Sequence, residues 1–365
     1  MLAVQKPSHD EPARVVEDVD VPIIGTNEVL IEIQAASLCG SDLEVLTGEG
    51  SSRFEYPLIV GHEGAGKVVE TGDSVTGLKE GDRVAIHYPI TCDRCKHCLA
   101  GRDNRCPNRE SIGTHRDGTF AEYVVVPARN ALKLNGVSDE WGSIASCAVS
   151  TAYHAVRVAE VSNGNSVIVF GAGGVGLHAI RWADYAGAST DIAVDVADQN
   201  LPLARDFGAD RTVNPALEDL KALVASETDG MGTDVAIECS GASAALTNAV
   251  AAVNGDNRYA SGSVVSVGLQ SEPMSAEYWD LREGKLAVSG DHTRGELRQI
   301  LDLLRKEKID LSKSITHRFA LEDVFDLASG TRRRIRENIL WAFLYNAVAV
   351  PLAVLGLINP LFAAV

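Results

Sequence analysis

Four cysteines in one short stretch form the pattern with the most specific chemistry in this chain. They are Cys92, Cys95, Cys98 and Cys106, with the spacing C-x2-C-x2-C-x7-C. Four thiolates at such spacing bind zinc tetrahedrally and leave no open coordination position, which is typical of a structural site. The cluster therefore predicts a structural zinc ion in a reducing compartment, where thiols are not paired in disulfides.

A glycine-rich segment of the form G-x-G-x-x-G is the second pattern. Such a segment permits a tight turn and a close approach of the backbone to a pyrophosphate at a helix N-terminus. Asp195 ends the next predicted strand, where a carboxylate can bind the ribose hydroxyls and repel a 2′-phosphate. The segment therefore predicts NAD binding in preference to NADP. Its residues are Gly171, Gly173, Gly174, Val175 and Gly176.

A third set of metal-binding residue types is dispersed along the chain. Cys39 stands in Cys39-Gly40-Ser41-Asp42, His62 precedes Glu63, and Cys147 precedes Thr151 by four positions. Taken singly, each could be a small buried residue or a histidine satisfied by hydrogen bonds. Spacing alone does not choose between these alternatives.

The secondary structure that would position these residues is predicted to differ between the two parts of the chain. Residues 1–150 are rich in short β-branched runs separated by Gly/Asp turns, which predicts a β-rich unit. From residue 151 onward, strands are predicted to alternate with helices, which indicates a parallel, doubly wound α/β sheet. The predicted strands are Ser166–Phe170, 191–196, Val235–Glu238, 264–268 and 286–289, and the predicted helices are 176–186, 242–253 and 296–310.

In the order and spacing of these motifs, the chain resembles the zinc-dependent medium-chain alcohol dehydrogenases over residues 1–330. The resemblance implies a GroES-like catalytic domain (residues 1–150 and 294–330) and a Rossmann NAD-binding domain (residues 151–293). It also implies a catalytic zinc ion in addition to the structural one, ligated by Cys39, His62 and Cys147. The Cys2His ligand set is the known set of alcohol dehydrogenase.

The resemblance further implies roles for neighbouring residues. Glu63 would lie beside the zinc or bind it transiently, and Asp42 would orient His62. Ser41 would contact the substrate oxygen and begin a proton relay, and Thr151 would lie against the nicotinamide. The implied reaction is reversible hydride transfer between a small alcohol or carbonyl compound and NAD. Glu44 occupies the position where some members of the family carry a relay histidine, which implies a different relay or slower proton release. A polyol or diol substrate is an alternative, although a cysteine at position 147 favours the alcohol dehydrogenase branch.

The charge of the chain restricts its partners and setting. With 50 Asp+Glu against 33 Lys+Arg, the net charge is −17, which disfavours binding to nucleic acid. An acid excess of this kind is typical of proteins in a high-salt cytoplasm, although an ordinary acidic enzyme is an equal alternative. The N-terminus predicts no secretion signal, and therefore a cytoplasmic location. The family resemblance implies a homodimer or homotetramer.

The C-terminal tail, residues 331–365, departs from the family. Residues 338–365 contain no formally charged side chain and follow four arginines, which predicts an apolar helical tail and possible contact with a membrane. Residues 334–346, with Tyr345-Asn346, resemble the segment that enters a late transmembrane helix of copper-transporting P-type ATPases. The alternatives are a buried terminal element of the soluble fold, or a non-catalytic, membrane-tethered fusion relic.

Overall fold

The computed structural model of the chain describes residues 1–47, 55–254, 262–269 and 283–324. Strands predominate in its first part, and strands alternate with helices in its second. The strands are β1 (Ala3–Lys6), β2 (Arg14–Val16), β3 (Glu28–Ser37), β4 (Leu58–Ile59), β5 (Glu63–Thr71), β6 (Arg83–Ile86), β7 (Pro89–Ile90), β8 (Glu110–Ser111), β9 (Tyr123–Pro127), β10 (Ala131–Lys133), β11 (Ser166–Phe170), β12 (Thr190–Val194), β13 (Arg211–Val213), β14 (Val235–Glu238), β15 (Ser263–Ser266) and β16 (Lys285–Val288). The helices are α1 (Gly40–Thr47), α2 (Lys96–Leu99), α3 (Asp139–Ile144), α4 (Ser150–Val158), α5 (Gly174–Ala186), α6 (Leu201–Asp206), α7 (Leu220–Glu227), α8 (Ser243–Asn254) and α9 (Arg294–Arg305).

An antiparallel sheet is the framework of the β-rich part. Its strand order is β10-β6-β5-β3-β9, and the long strand β3 pairs with β5 on one side and β9 on the other. Alternate side chains of these strands point into one apolar cluster that includes Val29, Ile31 and Val84. Cys147 belongs to the same cluster and Cys39 packs against it, so two candidate metal ligands lie at the edge of this core.

A parallel sheet of six strands organises the second part of the described chain. Its order is β13-β12-β11-β14-β15-β16, and every neighbouring pair is parallel. The chain runs outward from β11 in both directions, so the carboxyl ends of β11 and β14 lie at a switch point of the sheet. Ligands of such sheets bind in the crevice at that point. The expected doubly wound sheet beside a GroES-like β unit is confirmed.

The predicted elements agree with the observed ones except at their ends. Strands Ser166–Phe170 and Val235–Glu238 are observed with the predicted bounds. Helix α9 begins earlier than predicted, because Thr293 and Glu296 form a capping box at its N-terminus. It also ends earlier than predicted, since Glu307 adopts a left-handed backbone conformation with φ of 54°.

The predicted tail, residues 331–365, lies outside the described residues, and so does the last part of the predicted return to the β-rich domain. None of the described helices is both long and apolar enough to cross a bilayer. The tail therefore stays a prediction from the sequence.

A buried carboxyl group in β12 destabilises the fold when it loses its proton. Asp191 is 3% exposed, and its Oδ1 has no hydrogen-bond partner within the described residues. Burial, and then the charges of Asp210 and Asp184, raise its pKa to about 7. Between the ordinary aspartate pKa and this value, the folded chain holds a proton that the unfolded chain has released. The free energy of unfolding therefore decreases as pH rises through that window.

Replacing Asp191 with asparagine is expected to remove this decrease in the free energy of unfolding at high pH. At pH 8, Asp191→Asn should raise the free energy of unfolding by on the order of 1–3 kcal/mol relative to the parent chain, and by much less at pH 4. Denaturant unfolding at the two pH values measures the difference. Asp73→Asn, which removes an exposed carboxylate, is the control. An equal effect of Asp191→Asn at both pH values would contradict the assignment.

Candidate active site

Four dispersed side chains with metal-binding atoms converge in the structure. The ligand atoms of Cys39, His62, Glu63 and Cys147 all lie within 4.8 Å of one another. Cys39 lies in the turn between β3 and α1, His62 immediately precedes β5, and Glu63 is the first residue of β5. The residues that the family resemblance selected as one site are therefore neighbours in the fold.

Cys147 reaches the cluster from an irregular helical turn. Residues Ala145–Val149 form a π-helical turn between α3 and α4, and all five are buried. An additional residue in a helical turn changes the direction in which its side chains project, and such turns are frequent at functional sites. This turn brings the sulfur of Cys147 within reach of residues from the antiparallel sheet.

Asp42 connects two of the candidate ligands. Its carboxylate is 3% exposed; Oδ1 lies 2.9 Å from Nδ1 of His62, and Oδ2 accepts the backbone N–H of Cys39 at 2.9 Å. A histidine whose Nδ1 is held in this way has its tautomer and ring orientation fixed, which leaves Nε2 to bind a metal. The orienting contact expected for Asp42 is present.

The donor set of this cluster fits a zinc ion. Oε1 of Glu63 is buried without a hydrogen-bond partner among the described residues, which a nearby cation would compensate. The hydrogen bond with Cys147, together with His62, holds the pKa of Cys39 well below its usual range, although burial opposes this shift. A thiolate beside imidazole nitrogen is the donor chemistry that zinc prefers.

The four clustered cysteines also converge. The sulfurs of Cys92, Cys95, Cys98 and Cys106 lie within 4.8 Å of one another, and the pairs Cys92–Cys106 and Cys95–Cys98 are 3.5 Å apart. Tetrahedral zinc with Zn–S bonds of about 2.3 Å requires sulfurs about 3.8 Å apart. Cys95 also caps the short helix α2, since its sulfur accepts the N–H of Cys98. The arrangement fits a structural zinc ion.

The glycine-rich segment forms the turn from β11 into α5. Gly171 has a φ of +89°, and a Cβ on Gly176 would lie 1.7 Å from the carbonyl oxygen of Gly171. Both positions therefore require glycine. Asp195, after β12, accepts the backbone N–H of Ala172 at 2.7 Å. The predicted acidic residue thus contacts the glycine-rich turn from the neighbouring strand.

One cleft of about 2220 Å³ contains both the metal-binding residues and the glycine-rich turn. Its lining includes the cluster around His62 together with Ser41, Thr151 and residues 173–176. Ser41 Oγ is 3.5 Å from the sulfur of Cys39, and Thr151 Oγ1 is 3.8 Å from that of Cys147. A substrate in this cleft could contact a metal and a bound dinucleotide at the same time. The side chain of Glu44 lies outside the described residues.

Three further residues of the cleft were not identified from the sequence. The Tyr88 hydroxyl donates to the Asp291 carboxylate, which also pairs with Arg109. The ring of Tyr88 packs edge-on against His62, with centroids 5.0 Å apart. Burial raises the pKa of Tyr88 well above its ordinary value, and the nearby Cys147 adds to this effect. These residues form a polar wall beside the metal-binding cluster.

Comparisons with known proteins agree with this architecture. Residues 25–136 match the alcohol dehydrogenase GroES-like domain, and residues 174–306 match the zinc-binding dehydrogenase domain. The chain is 35% identical over 311 residues to L-threonine 3-dehydrogenase of Escherichia fergusonii, covering 84% of this chain and 89% of that protein. Two solved structures superpose with a TM-score of 0.82. A zinc-binding dehydrogenase from Sinorhizobium meliloti 1021 bound to NADP is 30% identical and covers 90% of this chain and 95% of its own. An alcohol dehydrogenase from Thermus sp. ATN1 is 28% identical, and the match covers 92% of this chain and 97% of that protein.

The fold and the site define a metal-binding oxidoreductase with a dinucleotide-binding unit. The chain belongs to the zinc-dependent medium-chain alcohol dehydrogenase family. The relatives include both a threonine dehydrogenase and an alcohol dehydrogenase, so membership of the family does not identify the substrate. The two family matches end at residue 306 and do not reach the predicted tail.

Proposed function

We propose that this chain catalyses reversible hydride transfer between an alcohol and NAD+, with a catalytic and a structural zinc ion. The observation that carries the proposal is the presence of Cys39, His62 and Cys147 in the same cleft as the glycine-rich turn. These three residues would hold the catalytic zinc ion. Bound there, zinc supplies Lewis acidity to the substrate oxygen, while NAD+ accepts the hydride.

The protein's own residues would orient and desolvate the reactants. Asp42 fixes the ring of His62, and the buried carboxyl group of Glu63 lies beside the ligands, where a bound zinc ion would stabilise its charged form. The exposed hydroxyl of Ser41, next to Cys39, is placed to accept the proton of the substrate hydroxyl and pass it towards solvent. Thr151 lines the same cleft next to Cys147, where it would limit the position of the nicotinamide.

The decisive experiment measures NAD+ reduction by the purified chain without detergent. Primary alcohols, secondary alcohols, diols and L-threonine are the substrates, and NADP+ is the alternative coenzyme. Turnover that a chelator abolishes and zinc restores would support the proposal. A soluble, zinc-loaded chain that binds NADH but oxidises none of these compounds would contradict it. Recovery of the chain only from membranes would instead support the fusion-relic alternative.

The coenzyme preference is proposed to depend on Asp195. Its carboxylate accepts the N–H groups of Ala172 and Ala197 and a hydrogen bond from Asn200, so its position is fixed. A fixed carboxylate at this place repels a 2′-phosphate, because juxtaposed like charges cost several kcal/mol.

Asp195→Ala is therefore expected to raise the ratio of kcat/KM for NADP+ to that for NAD+ by on the order of 100-fold. Steady-state kinetics with both coenzymes measures the ratio. Asp198→Ala is the control, since it removes a carboxylate from the same loop that instead accepts a hydrogen bond from Asn214. If the two variants change the ratio equally, the general charge of the loop, and not Asp195, sets the preference.

A second candidate is a substrate with an additional polar group, as in a diol, polyol or hydroxy amino acid. The polar wall of Tyr88, Arg109 and Asp291 favours it. Arg109 and Asp291 are partly exposed to the cleft, with 31% and 20% of their side-chain surfaces accessible. A guanidinium and a carboxylate beside the reacting centre can bind a second hydroxyl, carboxylate or ammonium group. A simple alkanol would leave both groups without such contacts.

Arg109→Leu is expected to lower kcat/KM for diols or L-threonine, whichever is turned over, by about 10- to 100-fold. The kcat/KM for a simple alkanol should change little. The control is Arg116→Leu, because Arg116 pairs with Glu28 and Glu110 outside the cleft. Equal losses with polar and apolar substrates would show that Arg109 acts through folding of the site instead of substrate recognition.

We also propose a homodimer or homotetramer in the cytoplasm. The support for the oligomer is that β16 is an edge strand of the described parallel sheet and could pair with a second copy. Light scattering of the purified chain would determine the number of subunits.

A further inference from the structure

A groove of about 720 Å³ lies outside the cleft. One side is formed by the turn at residues 74–78 and by β10 with its flanking residues, and the other side by α9. None of its lining residues lines the cleft. We name it the α9 groove. The groove lies between the β-rich unit and α9, the helix through which the chain returns from the parallel sheet.

The α9 groove carries cationic side chains although the chain as a whole is strongly acidic. Arg129, Lys133, Arg298 and Arg305 line it, and Asp302 is the one carboxylate among its lining residues. The net charge of the chain is −17, so positive charge at one place on the surface is unusual. Such a place attracts anions that the remainder of the surface repels.

Two ion-pair groups, each with at least one member lining the groove and others beside it, leave an excess of positive charge. Asp302 accepts hydrogen bonds from both Arg305 and Lys306, at 2.5 Å each. Asp93 is likewise shared, because Arg294 donates to it at 2.8 Å and Arg129 lies 3.1 Å from it. One carboxylate cannot neutralise two cations, so each group keeps about one positive charge.

Arg298 adds a cation that has no hydrogen bond or ion pair within the described part of the chain. It lies on the exposed face of α9 and lines the groove, whereas Leu297 and Leu301 on the same helix are buried in the core. Lys133 is neutralised by Asp82 at 2.8 Å. Hydroxyl and amide groups of Ser74, Thr76 and Asn135 complete the polar lining.

We propose that the α9 groove binds a small polyanion, namely a molecule with phosphate or carboxylate groups carrying two or more negative charges. Arg298 is its principal contact, because its guanidinium can form a paired hydrogen bond with anionic oxygens without breaking an existing ion pair. The ligand connects α9 with the turn at residues 74–78. Since α9 begins three residues after Asp291 of the cleft, binding also constrains the segment that carries the polar wall.

The proposal is tested by isothermal titration of the full-length, zinc-loaded chain with inorganic phosphate and, separately, with succinate. Saturating NADH is present so that neither anion can occupy the glycine-rich turn. Saturable binding of at least one anion is expected. Arg298→Glu should weaken it by about tenfold or more, because a charged hydrogen bond is lost and a repulsive charge is added.

Arg14→Glu is the matched control, since Arg14 is also exposed and has no ion pair within the described residues, but lies outside the groove on β2. It should change the affinity by less than about twofold. Hydrogen exchange should slow at residues 74–78 and 298–305 when the anion is added. Phosphate binding without succinate binding would indicate a phosphorylated ligand, and the reverse a dicarboxylate. Absence of saturable binding, or equal effects of Arg298→Glu and Arg14→Glu, would overturn the proposal.

Discussion

Replacing His62 with alanine is expected to lower kcat/KM by on the order of 10³-fold or more and to release one zinc ion per chain. The imidazole is one of three proposed ligands, and the remaining thiols of Cys39 and Cys147 cannot hold the ion in the same position. The Lewis acidity that the ion supplies is worth several kcal/mol, and each factor of ten in rate corresponds to about 1.4 kcal/mol. Metal analysis and steady-state kinetics of the same preparation measure both effects.

Two further variants distinguish loss of the catalytic ion from general damage. Asp42→Asn keeps the imidazole but alters the group that orients it, and should lower zinc affinity or activity by only about 10- to 100-fold. Cys98→Ser should release the other ion, because Cys98 belongs to the separate group of four cysteines. If His62→Ala keeps both ions and full activity, the assignment of the catalytic site is wrong.

Gly176→Ala is expected to produce the largest loss of stability and of coenzyme binding. The new Cβ would lie 1.7 Å from the oxygen of Gly171 and 2.9 Å from its carbonyl carbon, both of which are backbone atoms. The start of α5 must therefore move away from the end of β11. Overpacking of this kind costs about 1–3 kcal/mol or more, and the moved helix no longer presents its N-terminus to the pyrophosphate.

Gly174→Ala is the matched control for stability, because an added Cβ at position 174 has no neighbouring atom within 4 Å. Thermal unfolding of both variants without coenzyme should show a clear decrease for Gly176→Ala and almost none for Gly174→Ala. NADH fluorescence titration should then show at least about 100-fold weaker binding for Gly176→Ala. Equal melting temperatures and unchanged NADH affinity would mean that the turn accommodates a side chain at position 176.

Local patterns allowed part of the site to be predicted. The four cysteines lie in one short segment, between positions 92 and 106, so their spacing alone indicated a common metal ion. The structure brings their sulfurs together. The glycine-rich segment is likewise short, and the strand before it and the helix after it were predicted close to their observed bounds. In both cases the chemistry depends on residues that are close in sequence. For such residues, the spacing largely determines how they are arranged in space.

The catalytic cluster required more than local pattern. Cys39, His62 and Cys147 come from a turn, a strand start and a π-helical turn, and no spacing rule connects them. Only the family resemblance selected them together, and only the fold brings their ligand atoms within 4.8 Å. The reason is that a site built from separate elements depends on how a sheet and a helix pack against each other.

The polar wall and the α9 groove were decided by tertiary structure alone. Tyr88 and Asp291 are 203 positions apart, and Arg109 and Asp291 are 182 apart. No motif marks any of them, because their contact exists only where the chain returns from the parallel sheet to the β-rich unit. The sequence by itself determined the fold class, the group of four cysteines and the coenzyme turn, whereas the dispersed metal-binding group was indicated only through the family resemblance. Which polar groups face the substrate, and where positive charge collects, followed from the packing of distant segments.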